Sequence, residues 1–286
     1  MMPAAVILCG GRATRLASLF GDRPKALVPV AGRPFLEWQL AWLARGGVRR
    51  VHLAAGHLAD QLAAWAEEVS GVPPSPGLRR AGRCQVSGEG TGTREAPVRC
   101  SMFDVRCSAF GPPPSTLHPP PSTVSLSLSV EPRPLGTGGG LRYAAEFVEG
   151  DALLVINGDT LLPGLDFQGL EAAAAGASKG WTSIAVTRVD DAARFGTVTV
   201  GDGRVVEFLE KGRSASGWIN GGVYRMSREA VASIPADAPV SIETDLFPAW
   251  ARAGRIAALP APPPLLDMGT PDGLAEMARW LDANRP

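Results

Sequence analysis

The sequence is short of most features that would tie it to a membrane, a nucleic acid or an oxidising compartment. Its charges cancel, 28 Lys+Arg against 28 Asp+Glu. Without a broad basic field it has no means of binding nucleic acid or anionic lipid in bulk, so any anion must be gripped locally. No apolar run approaches the roughly 18 residues that a membrane span requires. The apolar N-terminus, Met1 to Cys9, has no basic flank and runs straight into Gly10-Gly11, which reads as a buried first strand rather than a signal peptide. Four cysteines (Cys9, Cys84, Cys100, Cys107) are irregularly spaced and fit neither a disulfide framework nor a Cys-x-x-Cys zinc site. The expected compartment is the cytoplasm. Aromatics are sparse at 6%, whereas glycine (34) and proline (26) are plentiful.

The 286 residues are enough for one large domain or two small ones. Ala4 to Leu8 is a short continuous apolar run of the kind found inside a parallel sheet. Leu36, Leu40 and Leu43 lie on one stripe and predict a helix from Phe35 to about Ala44, stopped by Gly46-Gly47. Val48 to Ala55 reads as a strand and Leu58 to Val69 as a helix. After a break come a strand at Val124 to Val130, a Gly-rich turn and a helix around Leu141 to Phe147. A buried strand spans Ala152 to Ile156, with further strands at Ser183 to Val189, in a hairpin around Asp202-Gly203, and at Gly221 to Arg225. A last helix runs from about Pro271 to Leu281. Strands alternating with helices predict a three-layer α/β fold around a mixed, mostly parallel sheet.

The break itself, at about 73–122, holds ten of the 26 prolines and a tandem pair of seven-residue units, Val98–Asp104 and Val105–Gly111. Two such units are too few and too short for a solenoid. The stretch reads as a Pro/Gly/Ser-rich insertion in a single domain of 1–286, unable to form a core and expected to be a surface loop. Three of its residues are cysteines and one is His118, but their spacing does not match known zinc patterns.

Two turns carry candidate chemistry. Gly10-Gly11-Arg12-Ala13-Thr14-Arg15 follows a buried strand, where open parallel sheets bind ligands. It is neither a dinucleotide fingerprint nor a Walker A loop, which argues against an oxidoreductase. Backbone N–H groups beside a guanidinium suit a polyphosphate, although a plain tight turn would look the same. Nearby Pro24-Lys25 presents one ammonium, which standing alone would be an ordinary surface charge. Asn157-Gly158-Asp159-Thr160 puts a carboxylate just past another buried strand, well placed for a hard cation. Asp267, about 110 residues later, offers a second carboxylate. It could instead cap the last helix, although Thr270 before Pro271 suits that role better. Glu210-Lys211 by itself reads as two solvated side chains.

Taken together, these residues resemble the sugar-1-phosphate nucleotidylyltransferases, most closely the D-glycero-D-manno-heptose 1-phosphate guanylyltransferases. Eight motifs occur in the family's order: Leu8–Leu16, Arg23–Lys25, Pro29–Leu36, Glu131–Gly139, Asn157–Thr160, Phe208–Lys211, Ile219–Tyr224 and Asp267–Pro271. The resemblance covers nearly the whole chain except the insertion and implies a Rossmann-like nucleotidyltransferase fold. It implies that Leu8, Gly10, Gly11, Arg15, Lys25, Gly136, Thr137 and Asp159 hold the nucleotide. Thr137, Gly158, Glu210, Lys211, Asn220 and Gly222 would hold the sugar phosphate, and Asp159 and Asp267 would coordinate Mg²⁺. Arg15, Lys25 and Lys211 would be the catalytic cations. Ala13 departs from the family's glycine and would strain the loop if φ were positive there; Cys9 for alanine is a small-for-small exchange.

The implied reaction is attack of a sugar 1-phosphate on the α-phosphorus of a nucleoside triphosphate, GTP by the subgroup resemblance, with loss of pyrophosphate. The product would feed surface polysaccharide or glycoprotein synthesis. Partners are then these two substrates, with no nucleic acid or membrane, and homo-oligomer formation is left open. The alternatives are a uridylyl- or thymidylyltransferase acting on another sugar phosphate, such as N-acetylmuramic acid 1-phosphate, or a non-catalytic nucleotide-sugar-binding regulator.

Overall fold

The run Ala4–Leu8 forms the first strand, β1. Its residues divide between two layers: Ala5 and Ile7 pack into one core cluster, Ala4 and Val6 into another. Covered on both faces, such a strand must be apolar throughout, which is why it shows no alternation. The computed structural model of the chain describes residues 2–11, 16–70, 101–106, 123–176, 180–192, 195–209, 216–236 and 238–284.

Along the chain follow β2 (Pro29–Val30), β3 (Arg33–Pro34), β4 (Arg50–Ala55), β5 (Ser101–Arg106), β6 (Thr123–Val130), β7 (Ala152–Asn157) and β8 (Thr160–Leu161). Then come β9 (Thr182–Val189), β10 (Thr197–Gly201), β11 (Arg204–Leu209), β12 (Gly217–Ser227), β13 (Ile256–Pro260) and β14 (Leu266–Asp267). Ten of these form one sheet in the order β10-β11-β13-β9-β12-β7-β1-β4-β6-β5. The sheet is mixed, as expected. Its parallel part is β7-β1-β4-β6, and β9 also runs parallel to β13. The remaining neighbours pair antiparallel, β12 against both β7 and β9. The β10–β11 hairpin turns at Asp202-Gly203, both at positive φ (49° and 70°), as a tight two-residue turn requires.

The helices are α1 (Ala17–Phe20), α2 (Phe35–Arg45), α3 (Ala59–Ser70), α4 (Gly136–Ala144), α5 (Phe167–Ala174), α6 (Arg228–Ala232), α7 (Phe247–Arg252) and α8 (Pro271–Ala283). One face of the sheet is covered by α2, α3, α5 and α8, through Phe35, Leu62, Phe167 and Met277 among others. The other is covered by α4, α6 and α7, through Leu141, Val231 and Trp250. That is the three-layer arrangement. α2 stops where Gly47 turns to φ +86° and Val48 donates to the Leu43 carbonyl at 3.0 Å. α8 starts at Thr270, whose Oγ1 accepts the Gly273 N–H at 3.2 Å. Thr270, not Asp267, is therefore its cap.

Two expectations need correcting. The helix expected from Leu141 begins five residues earlier, at Gly136. Its glycines are there for close approach as well as turning: a Cβ on Gly138 would press on Val240, and one on Gly139 would meet the Ala238 carbonyl at 2.6 Å. The stretch expected to be loop throughout returns to the sheet as β5, antiparallel to β6 from Ser101↔Leu128 to Arg106↔Thr123. Pairing there satisfies backbone groups that β6 would otherwise present along an open edge. Residues 71–100 and 107–122 of that stretch lie outside the described residues.

Candidate active site

Four parallel strands end on the same side, and the turns that follow them line one cavity of about 670 Å³. Gly10-Gly11 follows β1, Gly56-His57 follows β4, Glu131–Pro134 follows β6 and Gly158-Asp159 follows β7. This is the crevice beyond the strand carboxyl ends that parallel sheets use for ligands. It has two chemically different ends.

At the first end, Lys25 and Asp159 form an ion pair, with side chains 20% and 26% exposed. Pro24 leads into a 3₁₀ turn at Lys25–Leu27, which fixes the lysine's base. Asp159 is placed by the backbone: Gly158 donates to the Leu8 carbonyl at 3.2 Å, so the turn after β7 is laid onto the end of β1. A Cβ on Gly158 would collide with that carbonyl. Buried Gln39 of α2 ties the same turn down, its Nε2 donating to the Asn157 carbonyl at 2.9 Å and the Thr160 carbonyl at 2.8 Å. Asp267 arrives through the β8–β14 pairing, which sets it opposite Thr160, while Met268 donates to the Asp159 carbonyl at 3.1 Å. The Asp267 carboxylate accepts the Gly269 N–H at 2.8 Å. A Cβ built on Gly269 would lie 2.7 Å from Asp267 Oδ1 and 3.5 Å from Lys25 Nζ, so Gly269 lies against both side chains. Cys9 lines this end too. Burial, and secondarily the Asp159 charge, pushes its thiol up to about 12, which keeps it neutral.

At the second end sits Glu131. Its carboxylate accepts the Leu135 N–H at 3.1 Å and lies over Gly56, close enough that a Cβ there would collide with Oε1. Partial burial raises its carboxyl above the usual range, an effect the Leu135 bond opposes. Gly140 and Tyr143 of α4, Ser129 of β6 and the turn at Gly56-His57 complete this end. Between the two ends Thr137 Oγ1 donates to Glu243 Oε2 at 2.8 Å and accepts the Ile242 N–H at 2.9 Å. This joins α4 to the segment before α7.

Of the residues singled out in the sequence, Leu8, Gly10, Gly11, Lys25, Gly136, Thr137, Gly158 and Asp159 line this one cavity. Asp267 stands beside it. Asn220 and Gly222 occupy the irregular stretch of β12, where Asn220 donates to the Tyr224 hydroxyl at 2.9 Å and accepts the Gly222 N–H at 2.9 Å. They sit behind Asn157 rather than in the cavity wall. Arg15, Glu210 and Lys211 lie outside the described residues, as does Ala13. Among the described residues no group of three or more His, Cys, Asp or Glu could hold a metal ion by itself, and no helix is long and apolar enough to cross a membrane.

Glu131 had no assigned role in the sequence reading, although it follows β6 as Asp159 follows β7. The strand-end rule that singled out one carboxylate applies equally to the other. Glu243 and Gln39 carry no comparable signal, being polar positions within helical turns.

The profile of the nucleotidyl transferase family matches residues 105–283, and that of the MobA-like NTP transferase domain matches residues 5–96. D-glycero-alpha-D-manno-heptose 1-phosphate guanylyltransferase of Campylobacter jejuni is 26% identical over 226 residues, 79% of this chain and 76% of that protein. Mannose-1-phosphate guanylyltransferase of Mycobacterium tuberculosis is 30% identical over 290 residues, 97% of this chain but 65% of that longer protein. The crystal structure of HddC from Yersinia pseudotuberculosis complexed with GMP-PN matches with a TM-score of 0.71 at 26% identity, over 98% of this chain and 100% of that one.

Proposed function

Because the chain belongs to the nucleotidyl transferase family, we propose that it transfers GMP from GTP to D-glycero-α-D-manno-heptose 1-phosphate, releasing pyrophosphate. The observation that carries this reading is the cavity with two unlike ends, a Lys25–Asp159 ion pair at one and the single Glu131 carboxylate over Gly56 at the other. Phosphates belong at the Lys25 end. A base belongs at the Glu131 end, where an ionised carboxylate can only accept. Guanine offers it two adjacent donors, N1–H and the 2-amino group. Uracil and thymine offer one imino donor, and adenine and cytosine an acceptor beside their amino group. The heptose rests on the guanylyltransferase relatives, one named for that substrate.

The nucleophile is a phosphate oxygen and already anionic, so no general base is needed. The difficulty is bringing two polyanions together, and preorganised cations answer it. Lys25 stabilises charge on the α-phosphoryl group, with Arg15 and Lys211 assigned to the flanking phosphates by family resemblance. Asp159 and Asp267, on adjoining strand ends, suit magnesium, which takes one or two carboxylates and fills its remaining positions with phosphate and water oxygens. The ion's contribution when bound is charge neutralisation and templating. Asp159, paired with Lys25 in this structure, would be the shared carboxylate that holds the ion, and Lys25 would then be available to phosphate. The GTP requirement makes the cytoplasm the expected compartment, and the product is an activated sugar donor for polysaccharide or glycoprotein synthesis.

The test is pyrophosphate release with Mg²⁺, the heptose 1-phosphate or mannose 1-phosphate, and each of GTP, UTP, dTTP, CTP and ATP. Release fastest with GTP and the heptose phosphate supports the reading. Faster release with UTP or dTTP overturns the base assignment, and faster release with mannose 1-phosphate the sugar assignment.

A further inference from the structure

A polar chain crosses the otherwise apolar layer behind the base end. His52 of β4 is 1% exposed and lies beside β6, opposite Ser127. Its Nδ1 is 2.8 Å from Ser127 Oγ and its Nε2 is 2.8 Å from Ser129 Oγ. Ser127 is half-buried, while Ser129 is 2% exposed and lines the cavity. Burial lowers the His52 pKa to about 4, so at neutral pH the ring holds one proton, with one nitrogen donating and the other accepting. The ring also stacks on Phe147, with centroids 6.0 Å apart and planes at 5°, and Phe147 meets the edge of Tyr143, another cavity residue. One buried imidazole therefore braces both a hydroxyl and an aromatic ring of the cavity wall. Three polar groups in an apolar layer cost stability unless each is satisfied, and here they satisfy one another.

We propose that Ser129 reads the base directly and that His52 is the positioning residue that aims it. With Nε2–H donating to Ser129 Oγ, and Ser127 donating to Nδ1, the Ser129 proton is free to point into the cavity. Ser129 and Glu131 are two positions apart on one chain segment, so they share a face. Together they present a donor and an acceptor side by side. The edge of guanine is complementary: O6 takes the Ser129 hydroxyl while N1–H and the 2-amino group go to Glu131. This inference rests on the cavity's being the nucleotide site.

The experiment compares calorimetric binding of GTP and 6-thio-GTP, in Mg²⁺, to the wild type and three variants. The thio analogue keeps N1–H and the 2-amino group but replaces O6 with sulfur, a weaker acceptor. The wild type should bind GTP more tightly than 6-thio-GTP. Ser129→Ala removes one oxygen and should weaken GTP binding about three- to tenfold, the range for one hydrogen bond, with a distinctly smaller loss for 6-thio-GTP. His52→Leu should reproduce that loss, the Ser129→Ala/His52→Leu double variant should be no worse than either single one, and His52→Gln, which can still donate to Ser129, should recover part of it. Unchanged GTP binding in Ser129→Ala, or equal weakening of both nucleotides, overturns the inference and leaves the proposed function standing. Should His52→Leu fail to fold, Ser129→Ala still decides the matter. Absence of GTP binding by the wild type would overturn the proposed function and this inference with it.

Discussion

The two ends of the cavity are built on different principles. The Lys25 end concentrates charge, with an ammonium paired to Asp159 and a second carboxylate, Asp267, brought beside the same turn. The Glu131 end uses a single carboxylate, glycines that leave room for it, and a buried polar chain behind it. Charge acts strongly on a transition state in which charge develops. Hydrogen-bond complementarity to a base acts alike in ground and transition states and so governs binding and choice. The first end should therefore set the rate and the second the specificity.

The sharpest way to break that division is Asp159→Asn. It should cost about 10²–10³-fold in kcat, the scale seen when one electrostatic contact to a transition state is removed, with a much smaller change in KM for GTP. A steady-state assay of pyrophosphate release decides this, and a change confined to KM would refute the division of labour. Next in size is Glu131→Gln. Charge-assisted hydrogen bonds contribute about 1.5–3 kcal/mol, so KM for GTP should rise roughly ten- to a hundredfold while kcat holds. The ratio of GTP to UTP turnover should fall with it.

A third test concerns stability and only the Glu131 end. His52 has its pKa lowered by burial to about 4 from the ordinary 6.5, so between those values the unfolded chain binds a proton that the folded chain does not. Stability is therefore fully present above about pH 6.5 and declines as pH falls towards 4, by about 2 kcal/mol between pH 7 and pH 5. Urea midpoints at those two values measure the slope, which His52→Gln should reduce. The smallest effect is expected at the join between the ends. Thr137→Val removes the hydroxyl linking Glu243 and Ile242 and should destabilise by about 1 kcal/mol, visible as a lowered melting temperature.

Legibility in the sequence follows the same lines as the chemistry. The strands β1 and β7 announce themselves because burial on both faces demands short unbroken apolar runs, and β6 by its alternation of Val or Leu with Ser. Asp159 is visible because a carboxylate directly after such a run has no packing role. Less visible are α5, α6 and α7 together with β13 and β14, which are short and were not anticipated. The start of α4 is hidden because its first turn is made of glycines, which look like a loop until Val240 and Ala238 are seen pressing on them. β5 is hidden because Ser101 to Arg106 sits among prolines and repeats that suggest no regular structure, and its partner strand is what organises it.

By itself the sequence determined the alternation of elements, the strand ends where chemistry belongs and the family to which those turns are similar. Those are local properties, set by apolar periodicity and by the residues that can follow a buried strand. Tertiary structure alone decided that Asp267 comes beside the Asp159 turn through a two-stranded pairing with Thr160. It alone decided that Gln39 holds the Asp159 turn, that Asn220 and Gly222 stand behind Asn157, and that a buried histidine on β4 meets a serine on β6 at 2.8 Å. Each of these depends on which strands become neighbours and in what register. Register comes from the summed packing of whole layers, a quantity that no short stretch of sequence contains.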